Sequence, residues 1–236
     1  MRRAAHPHFV FARDGFYDDI ARVHRAARAA TYHELEHVTG WRSTSVYHEP
    51  GAREKLERLL GLRITRWDTD PAEENGVFYQ GFARGAKAEV PAIHADWPED
   101  DVTIVVYLTP GLPADCGTSL WRHKRTGLSD APTAADARRL GTPLAALRSA
   151  CERDARHRSR WVETDRIGYA CNRMVAYPSG CFHSASRHYG ASNADGRLYQ
   201  TFRVGGGLGV VPPLNGGRQA LCRTRPLAKK ASSSFW

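Results

Sequence analysis

The stretch Val90–Gly111, VPAIHADWPEDDVTIVVYLTPG, decides how this chain is read. It sets a histidine and an aspartate two residues apart, just ahead of the apolar run Val102–Leu108. Side chains alternate faces along a strand, so residues i and i+2 project to the same side. If residues 90–96 are extended, His94 and Asp96 aim an imidazole and a carboxylate at one point. Those are two of the three ligands of a facial two-histidine, one-carboxylate metal site. An HxD pair also occurs as ordinary surface residues at a turn, so the rest of the chain has to supply the third ligand.

Outward from this stretch, segments rich in β-branched and aromatic residues and bounded by Gly, Pro, Asn or Asp predict further strands. They fall at 62–68, 76–82, 102–108, 117–123, 172–178, 181–185 and 197–204, with 90–96 among them. Phe16, Ile20, Val23 and Ala27 recur on one helical face and predict a helix over 16–30. PGAREKLERLLG predicts a second over 52–60, with Leu56, Leu59 and Leu60 inward and Gly61 as its stop. Residues 130–157 read as a helical insertion, with Thr142 as N-cap, Pro143 at the first helical position and Leu144, Leu147 and Cys151 on one face. No repeat or linker divides the chain. One domain over 1–236 is expected: helices within 1–61 buttressing a core of about 62–204, mainly β with flanking helices, of jelly-roll type.

Composition narrows the function classes. The 236 residues are 42% hydrophobic and 25% charged, as in soluble globular proteins. No segment approaches the ~18 apolar residues of a membrane span, and the opening MRRAAHPHFVFARDG lacks the apolar stretch of a secretory signal. A cytoplasmic protein with no membrane partner is the expectation. Cys116, Cys151, Cys171, Cys181 and Cys222 form no CxxC pair, which argues against a disulfide framework or a thiolate zinc site. The net charge of +9 invites a nucleic-acid reading, but most of the excess is arginine interspersed with acids. Only RDARHRSRW (153–161) and the tail RTRPLAKK (223–230) are dense, and neither carries the aromatic interleaving of a binding module. An anionic small molecule drawn to a basic cleft mouth is equally compatible with this charge.

Eleven histidines compete for the third ligand position. The strongest candidate lies in MVAYPSGCFHSASRHYG (174–190), where an apolar strand, a Pro-Ser-Gly turn and a short second strand carry His183. Arg197 then opens the next strand, GRLYQTF. His123 and His188 are the competing histidines.

HxD, then a distant histidine, then a basic residue on the following strand resembles the iron(II)/2-oxoglutarate-dependent oxygenases, with the prolyl-hydroxylase-like branch nearest. VVYLTP (105–110) stands where that family has a YLN-type strand end, DCGTSLW (115–121) where it has GG-x-T, and DGRLYQTF (195–202) where it has a GxR-like stretch. The resemblance spans about residues 75–204 and extends to a bacterial branch with YLTP…GTSLWRHK.TG and FHSA, to which no substrate attaches. The chain departs from the pattern in having DCGT rather than a double glycine, and in the enlarged segment between Asp96 and His183.

The resemblance implies a double-stranded β-helix (jelly-roll, cupin-like) core with Fe(II) held by His94, Asp96 and His183. It also implies 2-oxoglutarate and O2 as co-substrates, with Arg197 on the far carboxylate of 2-oxoglutarate through its planar fork. Arg203 is the alternative clamp. Tyr107, Thr118 and Thr201 are candidate co-substrate contacts, and Tyr79, Trp97 and Trp121 candidate substrate contacts, though tyrosine and tryptophan in a β-sandwich also serve as core. The implied reaction is hydroxylation of an unactivated C–H bond in a small molecule, such as an amino acid or natural-product intermediate, with 2-oxoglutarate converted to succinate. Desaturation or cyclisation by the same centre stays open. Halogenating relatives lack the carboxylate that Asp96 provides. A cupin-type metalloenzyme that does not use 2-oxoglutarate and a metal-less jelly-roll binding module are the rival readings, and oligomeric state is not legible.

Overall fold

The computed structural model describes residues 9–34, 40–97 and 101–207; the basic tail at 223–230 lies outside the described residues. In chain order the elements are β1 (Phe11–Arg13), α1 (Ile20–Ala29), β2 (Tyr32–Glu34), β3 (Trp41–Val46), α2 (Ala52–Leu60), β4 (Arg63–Arg66), β5 (Val77–Gly81) and β6 (Val102–Tyr107). Then follow β7 (Thr118–His123), α3 (Ala134–Leu140), α4 (Leu144–Asp154), β8 (Trp161–Ile167), β9 (Met174–Pro178), β10 (His183–Ala185) and β11 (Arg197–Gly207).

The strands form two antiparallel sheets. The larger runs β1-β9-β6-β11-β5-β3-β2, with β4 added to the far end of β11; the smaller runs β10-β7-β8. His94 joins the open edge of β10 through a single antiparallel bridge to His183. From β5 onward the chain passes to and fro between the sheets: β5 in the larger, His94 in the smaller, β6 back, β7 and β8 across, β9 back, β10 across, β11 back. That winding is a double-stranded β-helix.

The period-2 alternation assigns the two faces of the larger sheet. Val102, Ile104 and Val106 of β6, Met174 and Ala176 of β9, and Leu198, Phe202 and Val204 of β11 pack with Val23 and Ala27 of α1 and Leu56 of α2. Each such buried side chain contributes about 1.5–3 kcal/mol by leaving water, so the two helices are bound to the sheet through their apolar stripes. The opposite face carries Val105, Tyr107, Val175, Tyr177 and Tyr199, which meet Cys116 and Leu120 near the smaller sheet. The polar residues Thr103, Thr201, Arg197 and Arg203 share the parity of this inner face.

Helix α2 has the bounds predicted from sequence, closed by Gly61 in the left-handed conformation. Helix α1 is shorter than expected. Asp19 caps it by accepting from the Arg22 amide, while Phe16 and Tyr17 stay outside the helix with their amides bonded to Asn172. The insertion contains two helices, and its cap lies elsewhere than predicted. Pro143, not Thr142, occupies the N-cap of α4, whereas Thr133 and Asp136 form a reciprocal capping box on α3. Leu147 and Cys151 of α4 are buried and Leu144 is half-buried. The main correction concerns 90–96, which is not a strand. Apart from the His94 bridge it is irregular, held by amide bonds from Ile93 to Ala155 O, His94 to His183 O and Asp96 to Ser179 O.

Candidate metal centre

His94 and His183 exchange both backbone hydrogen bonds across their bridge, at 3.0 and 2.8 Å, and this pairing carries their rings to a centroid separation of 4.5 Å. The bridge does for the two ligands what a full strand would have done. Asp96 is drawn in by its own amide bond to Ser179 O at the end of β9. Its carboxylate lies 3.5 Å from Nε2 of each histidine, through Oδ1 to His94 and Oδ2 to His183. One ligand atom from each of the three lies within 4.8 Å of the others.

Each imidazole is oriented from behind. His94 Nδ1 is 3.0 Å from Ala92 O and His183 Nδ1 is 2.9 Å from Cys181 O. A carbonyl can only accept, so Nδ1 carries the proton in both rings and the Nε2 lone pairs point at the common centre. Burial pulls His183 down to about 4 against the opposing charge of Asp96, so it is neutral and ready to ligate at neutral pH. Burial would also lower His94, but the hydrogen bond and charge of Asp96 outweigh it and raise its pKa above the ordinary value. Burial raises Asp96, yet its interactions with His183, Arg203 and His94 hold it well below the carboxylate range.

Metal competes with that His94 proton. Below the raised pKa of His94, binding must expel a proton, and apparent affinity falls about tenfold per pH unit. A Co(II) titration repeated from about pH 8 to about pH 5 is expected to show a plateau followed by that decline, starting earlier than for an isolated imidazole.

Besides the histidines, two side chains hold the Asp96 carboxylate. Thr103 of β6 donates to Oδ2 at 2.6 Å and sits 2.7 Å from Ser179 Oγ, while Arg203 of β11 reaches Oδ1 at 3.1 Å. Arg203 also pairs with Glu74 and donates to Trp97 O at 3.2 Å, fixing the chain on the far side of Asp96. Arg203, the alternative clamp, is thus engaged with the metal-binding segment. Groups that orient a ligand typically govern affinity by about 10–100-fold. Thr103→Val, which keeps the shape and removes the donor, is expected to lower Co(II) affinity by that factor with the thermal unfolding midpoint little changed.

The three candidate ligands line a cavity of about 350 Å³, together with Tyr79, Trp97, Thr118, Arg197, Tyr199, Thr201 and Arg203. Arg197 is 2% exposed. Its Nε donates to Cys116 O at 2.7 Å and its Nη2 approaches Gly117 O at 3.3 Å, with Tyr199 and Tyr107 beneath the guanidinium at 4.3 and 5.4 Å. Among the described residues no carboxylate pairs with it. A buried guanidinium that lacks an anion but faces a cavity fits a carboxylate-bearing ligand, and two neutral imidazoles with one carboxylate fit a divalent first-row metal.

The DCGT turn supplies the carbonyls that hold Arg197. Gly117 is required there: a Cβ would come 1.9 Å from Ile167 O on the paired strand. Gly117→Ala is expected to cost about 1–3 kcal/mol by overpacking, lowering the unfolding midpoint by roughly 3–10 °C. Binding of carboxylate ligands should weaken with it.

The remaining sequence candidates divide by location. Tyr79 and Trp97 line the cavity, Tyr79 with its hydroxyl on Glu74 at 2.8 Å and Trp97 67% exposed at the rim. Tyr107 does not reach the cavity; its hydroxyl donates to Thr118 Oγ1 at 2.8 Å, and Thr118 is the residue that faces inward. Trp121 is part of the apolar cluster with Ile93, Trp161 and Phe182, its Nε1 bonded to Ser184. His123 pairs with Asp154 and His188 lies 3.3 Å from Glu89, so neither joins the metal triad. The sequence reading missed Thr103, though its parity with Val105 and Tyr107 on β6 places it on the inner face.

A family of unknown function (DUF6445) matches residues 89–202. No curated protein matches the chain. Among solved structures, similarity extends to the non-haem alpha-ketoglutarate-dependent epimerase SnoN from nogalamycin biosynthesis, at 14% identity and TM-score 0.46 over 94% of this chain and 92% of that one. HygX from Streptomyces hygroscopicus with nickel and 2-oxoglutarate bound gives 11% identity and TM-score 0.42 over 84% and 83%. A Pseudomonas putida prolyl-4-hydroxylase gives 12% and 0.38 over 84% and 93%.

Proposed function

We propose that this chain is an Fe(II)- and 2-oxoglutarate-dependent oxygenase that hydroxylates a C–H bond of a small molecule. The observation that carries this reading is the pairing, in one cavity, of the His94–Asp96–His183 triad with the buried guanidinium of Arg197, which has no carboxylate partner among the described residues. His94, Asp96 and His183 would hold the metal on one face, and Arg197 the far carboxylate of the co-substrate. When bound, iron and 2-oxoglutarate would supply the means of activating O2, one oxygen atom going into the C–H bond as hydroxyl and the other into succinate, which leaves with CO2.

The chain's own residues bind, orient and exclude water. The Ala92 and Cys181 carbonyls keep both imidazoles as Nε2 ligands. Thr103 and Arg203 keep Asp96 ionised and in place. Val105, Tyr177 and Tyr199 wall the cavity between the sheets and limit its water, which strengthens the charge interactions inside. Thr118 and Thr201 are hydroxyl donors on the co-substrate side, and Trp97 and Tyr79 are placed for the substrate.

The test is succinate formation by the full chain with iron, ascorbate and 2-oxoglutarate, across a panel of amino acids and other small molecules. Substrate-stimulated succinate supports the reading. Turnover that does not need 2-oxoglutarate would assign the site to a cupin-type metalloenzyme, and absence of metal binding would leave a binding module.

A further inference from the structure

The metal-centre reading leaves the basic run at 153–161 without a role. Within it, Arg158 is tied inward, donating to Ala185 O at 3.0 Å and lying over the Trp121 ring at 5.3 Å. Arg153, Arg156 and His157 are exposed and instead line a second cavity of about 590 Å³ at the C-terminal end of α4. Cations at a helix C-terminus are favoured by the helix dipole, so their presence alone would be unremarkable. Their placement is not: the second cavity shares Ala92, His94, Ala95, Asp96 and Trp97 with the metal cavity, so the metal-binding segment borders both.

Basic side chains outnumber acidic ones on this wall. Arg148 of α4 adds to the two arginines and the histidine, whereas Glu152 and Asp96 are the acids among the described lining residues, and Asp96 already faces Arg203. The volume is within the range of small-molecule sites. A concave wall with an excess of one charge sign concentrates ligands of the opposite sign.

We propose that this second cavity receives the anionic group, a carboxylate or a phosphate, of the small molecule oxidised at the metal centre. As a statement about substrate it rests on the oxygenase reading; as a statement about anion binding it does not. The basic run is thereby assigned to substrate selection by charge.

The test is calorimetric binding of pyrophosphate, citrate and, as the uncharged control, glucose to the full chain at fixed ionic strength. Three proteins are compared: the parent, R153E/R156E, and R58E/R63E, which makes the same change in net charge at exposed positions of α2 and β4. The parent is expected to bind at least one anion and not glucose. R153E/R156E should weaken that binding about tenfold or more, since two attractive charges become repulsive at close range. R58E/R63E should stay within about twofold. Equal loss in both variants, no loss in R153E/R156E, or no anion binding by the parent overturns the proposal. So does an RNA oligonucleotide that outcompetes both anions through Arg153 and Arg156, because the surface would then serve a polymer. Anaerobic 2-oxoglutarate binding, read on the iron-loaded proteins, separates the two readings. It should persist in R153E/R156E, and if it is missing from the parent the oxygenase reading fails while the anion result stands on its own.

Discussion

Arg197→Ala is expected to bind 2-oxoglutarate about 10²–10³-fold more weakly than the parent while retaining its metal. Truncating one partner of a buried, hydrogen-bonded charge pair costs about 2–5 kcal/mol, much of it from leaving the other charge unpaired, and about 1.4 kcal/mol is a factor of ten. The metal should be unaffected because Arg197 makes its polar contacts with the Cys116 and Gly117 carbonyls and none with a ligand residue. Those carbonyls lose a donor in the alanine variant, so some loss of fold stability accompanies the change. Arg197→Lys separates the effects. Lysine keeps the charge but not the fork that reaches two carbonyls and a carboxylate together, and its affinity should fall between parent and alanine variant. Co(II) and 2-oxoglutarate titrations of the three proteins check both statements. Parent-like 2-oxoglutarate binding by Arg197→Ala would place the clamp elsewhere.

Asp96→Ala is expected to abolish specific metal binding, with affinity lower by about 10² or more, since breaking a buried ionic arrangement by removing one member costs about 3–5 kcal/mol. Asp96 is the anion facing both imidazoles, and without it His94, His183 and Arg203 surround a centre with no negative charge. A cation would then have no carboxylate between the two imidazoles, the remaining acid of the cavity, Glu74, being paired with Arg203. Arg203 retains Glu74, so the fold has a partner for it and the variant should remain folded. Co(II) titration and thermal unfolding of the same sample read the two effects separately. Loss of the unfolding transition together with the metal would mean that Asp96 serves the fold first.

That His94, Asp96 and His183 come together is legible in the sequence for a reason that differs from the structure's own. HxD points to one side of a strand if the segment is extended, yet 90–96 pairs only at His94, and the backbone bonds to Ser179 and His183 do the aiming. Chemistry-bearing residues thus survive a wrong local assignment, because the constraint they obey is the site and not the strand. β8 leaves little signal: as the outer strand of the smaller sheet, WVETDRI buries only Trp161 and alternates weakly. β1 and β2 are three residues each, too short for periodicity to register. Trp121 shows the converse limit. Its neighbours in sequence suggest the cavity, but three positions on from Thr118 it falls on the opposite face of β7, where it packs with Trp161 and Phe182. The engagement of Arg203 with Asp96 and Glu74 is hidden in the sequence, since the three residues come from three separate segments.

The central claim is that one cavity binds iron and 2-oxoglutarate together, and the most direct measurement is the visible spectrum of the Fe(II)-loaded full chain on anaerobic addition of 2-oxoglutarate. The account predicts a charge-transfer band that saturates with one co-substrate per iron and is absent in Asp96→Ala. An iron-loaded parent whose spectrum does not respond to 2-oxoglutarate at any concentration would contradict it.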